Sequence, residues 1–97
     1  MDKEKLLDGK RILIVDDEPA ARAQLRDVVD SIPDLVVINE VSDGKAAIEA
    51  ILELAPDIVF LDIDMPGSSG VEMAETLAEM ERPPSIVFVT AHGEHAV

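Results

Sequence analysis

Ile12-Leu13-Ile14-Val15-Asp16-Asp17 and Ile58-Val59-Phe60-Leu61-Asp62-Ile63-Asp64 decide the fold, because each is an unbroken apolar run that ends abruptly in acid. Apolar runs of this length without polar alternation suit strands buried on both faces, as parallel strands under helices are. If the two are neighbouring parallel strands, Asp16, Asp17, Asp62 and Asp64 meet at their carboxyl ends, in the crevice where open α/β sheets bind ligands. A pocket that acidic suits a divalent cation, and without one at least one carboxyl pKa should rise.

Working outward, Ile86-Val87-Phe88-Val89 is a further run of the same kind and is expected to form a central strand. Leu35-Val36-Val37-Ile38-Asn39-Glu40-Val41 turns polar in its second half, which suits a strand at the border of the sheet. The segments between these runs have helical period. Pro19 suits a first helical turn, and Ala21, Leu25, Val28 and Ile32 step along one face before Pro33. Asp43 can cap a second helix whose stripe is Ala47, Ile48, Ile51 and Leu54, with Pro56 beyond it. Ser69, with Glu72 three residues on, has the pattern of a capping box and opens a third helix that turns Val71, Ala74, Leu77 and Ala78 inward before Pro83-Pro84. Short strands alternating with helices are the mark of an α/β protein with a three-layer parallel sheet. His92 to Val97 could open a fourth helix.

Composition bounds what such a sheet can belong to. The chain has 97 residues, 47% of them hydrophobic, so residues 1–97 are expected to form one domain with a single modest core. Eight basic residues against 21 acidic ones give a net charge of −13, which repels phosphate backbones and anionic lipid, so neither nucleic-acid nor membrane contact is expected. The absence of cysteine excludes disulfides and thiolate metal sites. Met1 to Lys10 is charged and lacks the apolar centre of a signal peptide, and no apolar run is long enough to cross a bilayer, so a cytoplasmic protein is expected.

In this order and spacing, Val15-Asp16-Asp17-Glu18-Pro19, Leu61-Asp62-Ile63-Asp64-Met65-Pro66-Gly67, Gly70 and Val89-Thr90-Ala91 resemble the receiver domain of two-component response regulators. The resemblance implies a flavodoxin-like fold with strand order 2-1-3-4. It implies that Asp62 is the phospho-acceptor, taking a phosphoryl group from a histidine kinase. Asp16, Asp17 and Asp62 would hold Mg²⁺ with the backbone carbonyl of Asp64, and Thr90 would supply the switch hydroxyl. Such a domain is a regulatory acceptor that catalyses its own aspartyl phosphorylation and is not an enzyme. Receivers continue with the rest of a helix, a fifth strand ending in a lysine, and a last helix, none of which has a counterpart before Val97. A C-terminally incomplete receiver is therefore expected. Its fourth strand would keep an open edge and associate with a second copy, through that edge or by exchange of elements. The stretches Asp17 to Arg22 and Val89 to Val97 are similar to receivers that precede LytTR-type DNA-binding domains, which implies transcription regulation as the output of a longer parent.

The chemistry accounts for these residue types independently. A carboxylate can attack phosphorus to form an acyl phosphate if the incoming charge is neutralised and the groups are held in line. A threonine at a strand end carries a hydroxyl able to turn toward the new phosphoryl oxygens, a two-state element that phosphorylation can bias. Taken singly, each feature has a plainer explanation. Asp16-Asp17-Glu18 could cap a helix, Asp62 and Asp64 could be loop acids, Thr90 a β-former, Met65-Pro66-Gly67 a turn, and His92 and His95 surface residues. The joint arrangement outweighs them. Two other classes stand beside the receiver. Asp62-Ile63-Asp64 after an apolar strand also resembles the nucleophile motif of haloacid-dehalogenase-like phosphatases, although that motif normally opens its domain and has Thr or Val where Pro66 stands here. The chain could also be an interaction module that never carries phosphate.

Overall fold

Apolar runs and helical segments alternate as β1 (Lys10–Val15), α1 (Pro19–Asp30), β2 (Leu35–Val41), α2 (Gly44–Leu54), β3 (Ile58–Asp62), α3 (Gly70–Ala78) and β4 (Ser85–Val89). The computed structural model describes residues 9–62 and 70–89, of which 70–72 by backbone alone. The four strands are parallel and lie in the order β2-β1-β3-β4, so each connection is a crossover that carries a helix over the sheet.

Strand periodicity divides the core in two. On one face Leu13 and Val15 of β1 join Val59 and Leu61 of β3 against Ala47, Ala50 and Ile51 of α2 and Met73 and Leu77 of α3. On the other, Ile12 and Ile14 pack with Ile58, Phe60, Leu35 and Val37 against Leu25 and Val29 of α1. All four residues Ile12 to Val15 are therefore fully buried, as their unbroken apolar character requires. The second strand lies at the border of the sheet, as its polar half suggests. It carries one irregularity: Ile12 pairs with Val37 but Leu13 with Asn39, so Ile38 is an extra residue in the ladder.

The inward faces of two helices differ from the sequence reading. In α1 the buried residues are Ala21 and Val29, with Leu25 packed beside them, while Val28 and Ile32 are exposed. Val28 and Val29 are neighbours 100° apart on the helix, and the i, i+4 row from Ala21 through Leu25 continues to Val29. In α3 Met73 and Leu77 point inward and Ala78 outward, again an i, i+4 row. The fourth strand pairs with β3, and Val87 and Phe88 are 43% and 47% exposed, so among the described residues it keeps the open edge expected of it and is not covered on both faces.

Local bonds fix the helix ends. The Asp43 carboxylate accepts from the Ala46 amide at 2.7 Å and caps α2, as the sequence suggests. At the far end Ala55 turns left-handed, with φ of 49°, and the Arg11 guanidinium donates to the carbonyls of Leu54 and Ala55 at 2.7 Å each. Asp57 ties the same corner to β1, accepting from the Arg11 amide at 2.8 Å and donating its own amide to the Arg11 carbonyl. The predicted cap at Ser69 lies outside the described residues. No helix among the described residues is long and apolar enough to cross a membrane. Asp43→Ala should lower unfolding free energy by about 1 kcal/mol and Asp43→Asn by much less, as read by urea denaturation.

Candidate functional site

The register of β1 against β3 determines which side chains meet. Val15 pairs with Leu61, and one further step along the two parallel strands sets Asp16 beside Asp62 at the carboxyl edge of the sheet. Asp17 follows at the start of the turn into α1. One carboxylate oxygen from each of Asp16, Asp17 and Asp62 lies within 4.8 Å of the others. Asp16 is fully buried and Asp62 only 4% exposed.

Asp16 is held from several sides. Its amide donates to the Val41 carbonyl of β2 at 3.1 Å, and its Oδ1 accepts from the Glu18 amide at 2.9 Å. Its backbone carbonyl accepts from Arg22 Nη1 of α1 at 2.7 Å. Its Oδ2 is buried and has no hydrogen-bond donor among the described residues. Burial pushes the Asp16 carboxyl above its ordinary value, and the negative charges of Asp62 and Asp17 push it further, opposed by the Glu18 amide. The rise expected of crowded carboxylates is thus present, with burial its larger cause.

An orphaned buried carboxylate oxygen beside two further carboxylates fits a small hard cation, since Mg²⁺ takes oxygen ligands and needs few of them from protein. Among the described residues the cluster offers carboxylate oxygen alone, a donor set that suits magnesium better than zinc or copper. Three of the predicted site residues, Asp16, Asp17 and Asp62, are thus brought together, while Asp64 and Thr90 lie outside the described residues, as do His92 and His95. Arg22 and Glu40 were not singled out by sequence. The one available signal was that Arg22 sits one turn into a helix that starts directly after the acids.

The profile of the family described as response regulator receiver domain matches residues 12–97. The chain is 46% identical over 87 residues to the positive alginate biosynthesis regulatory protein of Pseudomonas aeruginosa, a match covering 89% of this chain and 35% of that protein. It is 39% identical to the transcriptional regulatory protein LytR of Staphylococcus aureus, with 90% of this chain and 35% of that protein covered. The chain thus spans about a third of the length of these relatives. Among solved structures it is similar to the signal receiver domain of NarL from Mycobacterium tuberculosis, with a TM-score of 0.81 and 31% identity over 92% of this chain and 72% of that one. The response regulator domain of Thermotoga maritima CheB aligns with a TM-score of 0.76 and 34% identity, covering 92% of this chain and 66% of that one.

The raised Asp16 pKa sets a direction for stability. A carboxyl whose native pKa exceeds its unfolded one binds its proton more tightly when folded. That stabilisation is complete below the ordinary value of 3.8 and is lost as pH rises through the native value. In chelator at neutral pH, Asp16→Asn should therefore be more stable than wild type by about 1 kcal/mol, roughly 4–8 °C in Tm for a domain of this size. The advantage should shrink on acidification and disappear in millimolar Mg²⁺, which stabilises the wild type alone. Calorimetry over a pH series with and without the cation reads all three effects.

Proposed function

Since the chain belongs to the response regulator receiver domain family, we propose that it accepts a phosphoryl group on Asp62 from a histidine kinase, with Mg²⁺ held by Asp16, Asp17 and Asp62. The observation that carries this reading is the convergence of the three carboxylates within 4.8 Å at the ends of two parallel strands, with one Asp16 oxygen lacking a donor among the described residues.

The residues divide the work. Asp62 closes a strand buried on both faces, so its carboxylate is fixed in direction and shielded from water, as an in-line nucleophile should be. One of its oxygens forms the P–O bond as the P–N bond to the donor imidazole breaks. Asp16 and Asp17 keep a local negative charge ready for the cation, which when bound neutralises charge on the transferring group. The backbone carbonyl of Asp64 as a further ligand and Thr90 as the switch hydroxyl belong to the same reading, supported by their places in the motif order of the chain. The domain catalyses its own modification and turns nothing over.

The proposal extends to the setting of the domain. The regulatory roles that the relatives' names state support transcriptional control as the output of a longer protein, through a DNA-binding module. A cytoplasmic location fits both that output and the proposed kinase. Self-association through β4 is supported by the exposure of Val87 and Phe88 on a strand that pairs, among the described residues, with β3 alone.

With acetyl phosphate and Mg²⁺, intact-mass spectrometry should show a single added phosphoryl group, lost in chelator and in Asp62→Asn. Modification that persists in Asp62→Asn refutes the assignment, continuous release of inorganic phosphate points to a phosphatase, and neither result points to a non-phosphorylated module. Sedimentation should show a dimer that Val87→Lys or Phe88→Lys weakens by at least about tenfold in Kd, the loss expected when an apolar interface anchor is replaced. A clean monomer at high concentration sinks the association.

A further inference from the structure

A polar relay leads from the outer strand of the sheet to the acidic site, and neither cation ligation nor phosphoryl transfer uses it. It begins at the irregularity in β2. Leu35 and Val37 pack on the α1 side of the sheet, and regular alternation would place Asn39 and Val41 there too, with Glu40 opposite. Val41 instead packs on the α2 and α3 side. The extra residue Ile38 reverses the parity, as a single inserted residue must. Glu40 is thereby delivered to the α1 face, where it pairs with Arg26 and lies 3.7 Å from Arg22 Nε.

Arg22 has a second bond. While its Nε faces Glu40, its Nη1 donates to the Asp16 carbonyl at 2.7 Å. Both side chains are largely covered, at 21% and 22% exposure, so water competes weakly with the pair. The Asp16 amide meanwhile donates to the carbonyl of Val41, the residue next to Glu40. The most buried acid of the site is thus tied to two adjacent residues of β2, its amide directly to Val41 and its carbonyl, through Arg22, to Glu40.

This matters because three carboxylates so close repel one another, and two of them, Asp16 and Asp17, are carried by the turn from β1 into α1. We propose that Arg22, tethered by Glu40, is a positioning residue that holds this turn in the geometry that accepts the cation. The proposal rests on the reading of the carboxylate cluster as a Mg²⁺ site. It goes beyond that reading in assigning cation affinity to a side chain that touches neither cation nor phosphoryl group.

Charge and positioning predict opposite signs, which makes the test decisive. Removing a positive charge near a cation site strengthens cation binding by Coulomb's law, whereas releasing the turn weakens it. Isothermal titration of Mg²⁺ into the folded protein should show Arg22→Gln binding about 10–100-fold more weakly than wild type, the usual loss when a group that orients a ligand is removed. Arg22→Lys, which keeps a donor within reach of the carbonyl, should recover most of that affinity. At saturating Mg²⁺ the modification rate of Arg22→Gln with acetyl phosphate should return toward wild type, because cation loading alone is impaired. In the metal-free state Glu40→Gln should speed amide exchange at Asp17 and Glu18, and this arm stands even if Arg22→Gln does not fold. Equal or tighter Mg²⁺ binding by Arg22→Gln overturns the proposal, as does unchanged exchange in Glu40→Gln. A wild type that binds no Mg²⁺ refutes the site reading instead.

Discussion

The pairing of Val15 with Leu61 is the constraint on which the rest depends. Two strands buried on both faces cannot slip by one residue without turning every side chain into the wrong layer, so their register is fixed by the core and not by the acids at their ends. Each fully buried Ile, Leu or Val stabilises the fold by about 1.5–3 kcal/mol, and Ile12 to Val15 supply four such residues in succession. Against this stands Asp16, fully buried, with one carboxylate oxygen that has no donor among the described residues, and burial of its charge opposes folding. The core wins. The repulsion between Asp16 and Asp62 is therefore carried by the native state.

Much of this was legible from residues alone, and the failures have definite causes. The unbroken apolar character of Ile12–Val15 and Ile58–Leu61 could mean little other than strands covered on both sides, and the acids directly after them had to share an edge once the strands were parallel neighbours. Leu35–Val41 was readable in extent and in its border position because its polar half cannot be buried. Helix rotation was less legible. With Val28 and Val29 adjacent, either could continue the row from Ala21 and Leu25, and the choice is made by packing on the sheet. Met73 was missed in α3 because the row was begun from the small residues Val71 and Ala74. Ile86–Val89 was readable as a strand, and so was its open edge among the described residues.

The Arg22 contact was illegible for a different reason. Its partner is a backbone carbonyl, and every residue has one, so no pattern of side chains marks it. Its other partner, Glu40, stands on the α1 face because of Ile38, and an extra residue in a ladder leaves no trace in a sequence of alternating types that is already irregular. Sequence patterns report side chains that need burial or that converge by periodicity. They are silent about bonds that depend on one residue of register.

These two kinds of feature have different consequences. Residues that bury apolar surface determine where Asp16 and Asp62 are, and they would do so whether or not anything binds. The polar ties determine how far the acids can relax away from one another. A cluster kept close by the first and prevented from relaxing by the second keeps its repulsion, and on the proposed reading a bound Mg²⁺ would relieve it and so gain binding free energy. Binding to the folded state alone would stabilise it by mass action, which would link cation occupancy and folding through Asp16. On the proposed Mg²⁺ reading, the excess of 21 acidic over 8 basic residues would make that linkage larger, because occupancy of the acidic edge would relieve part of the self-repulsion that opposes folding.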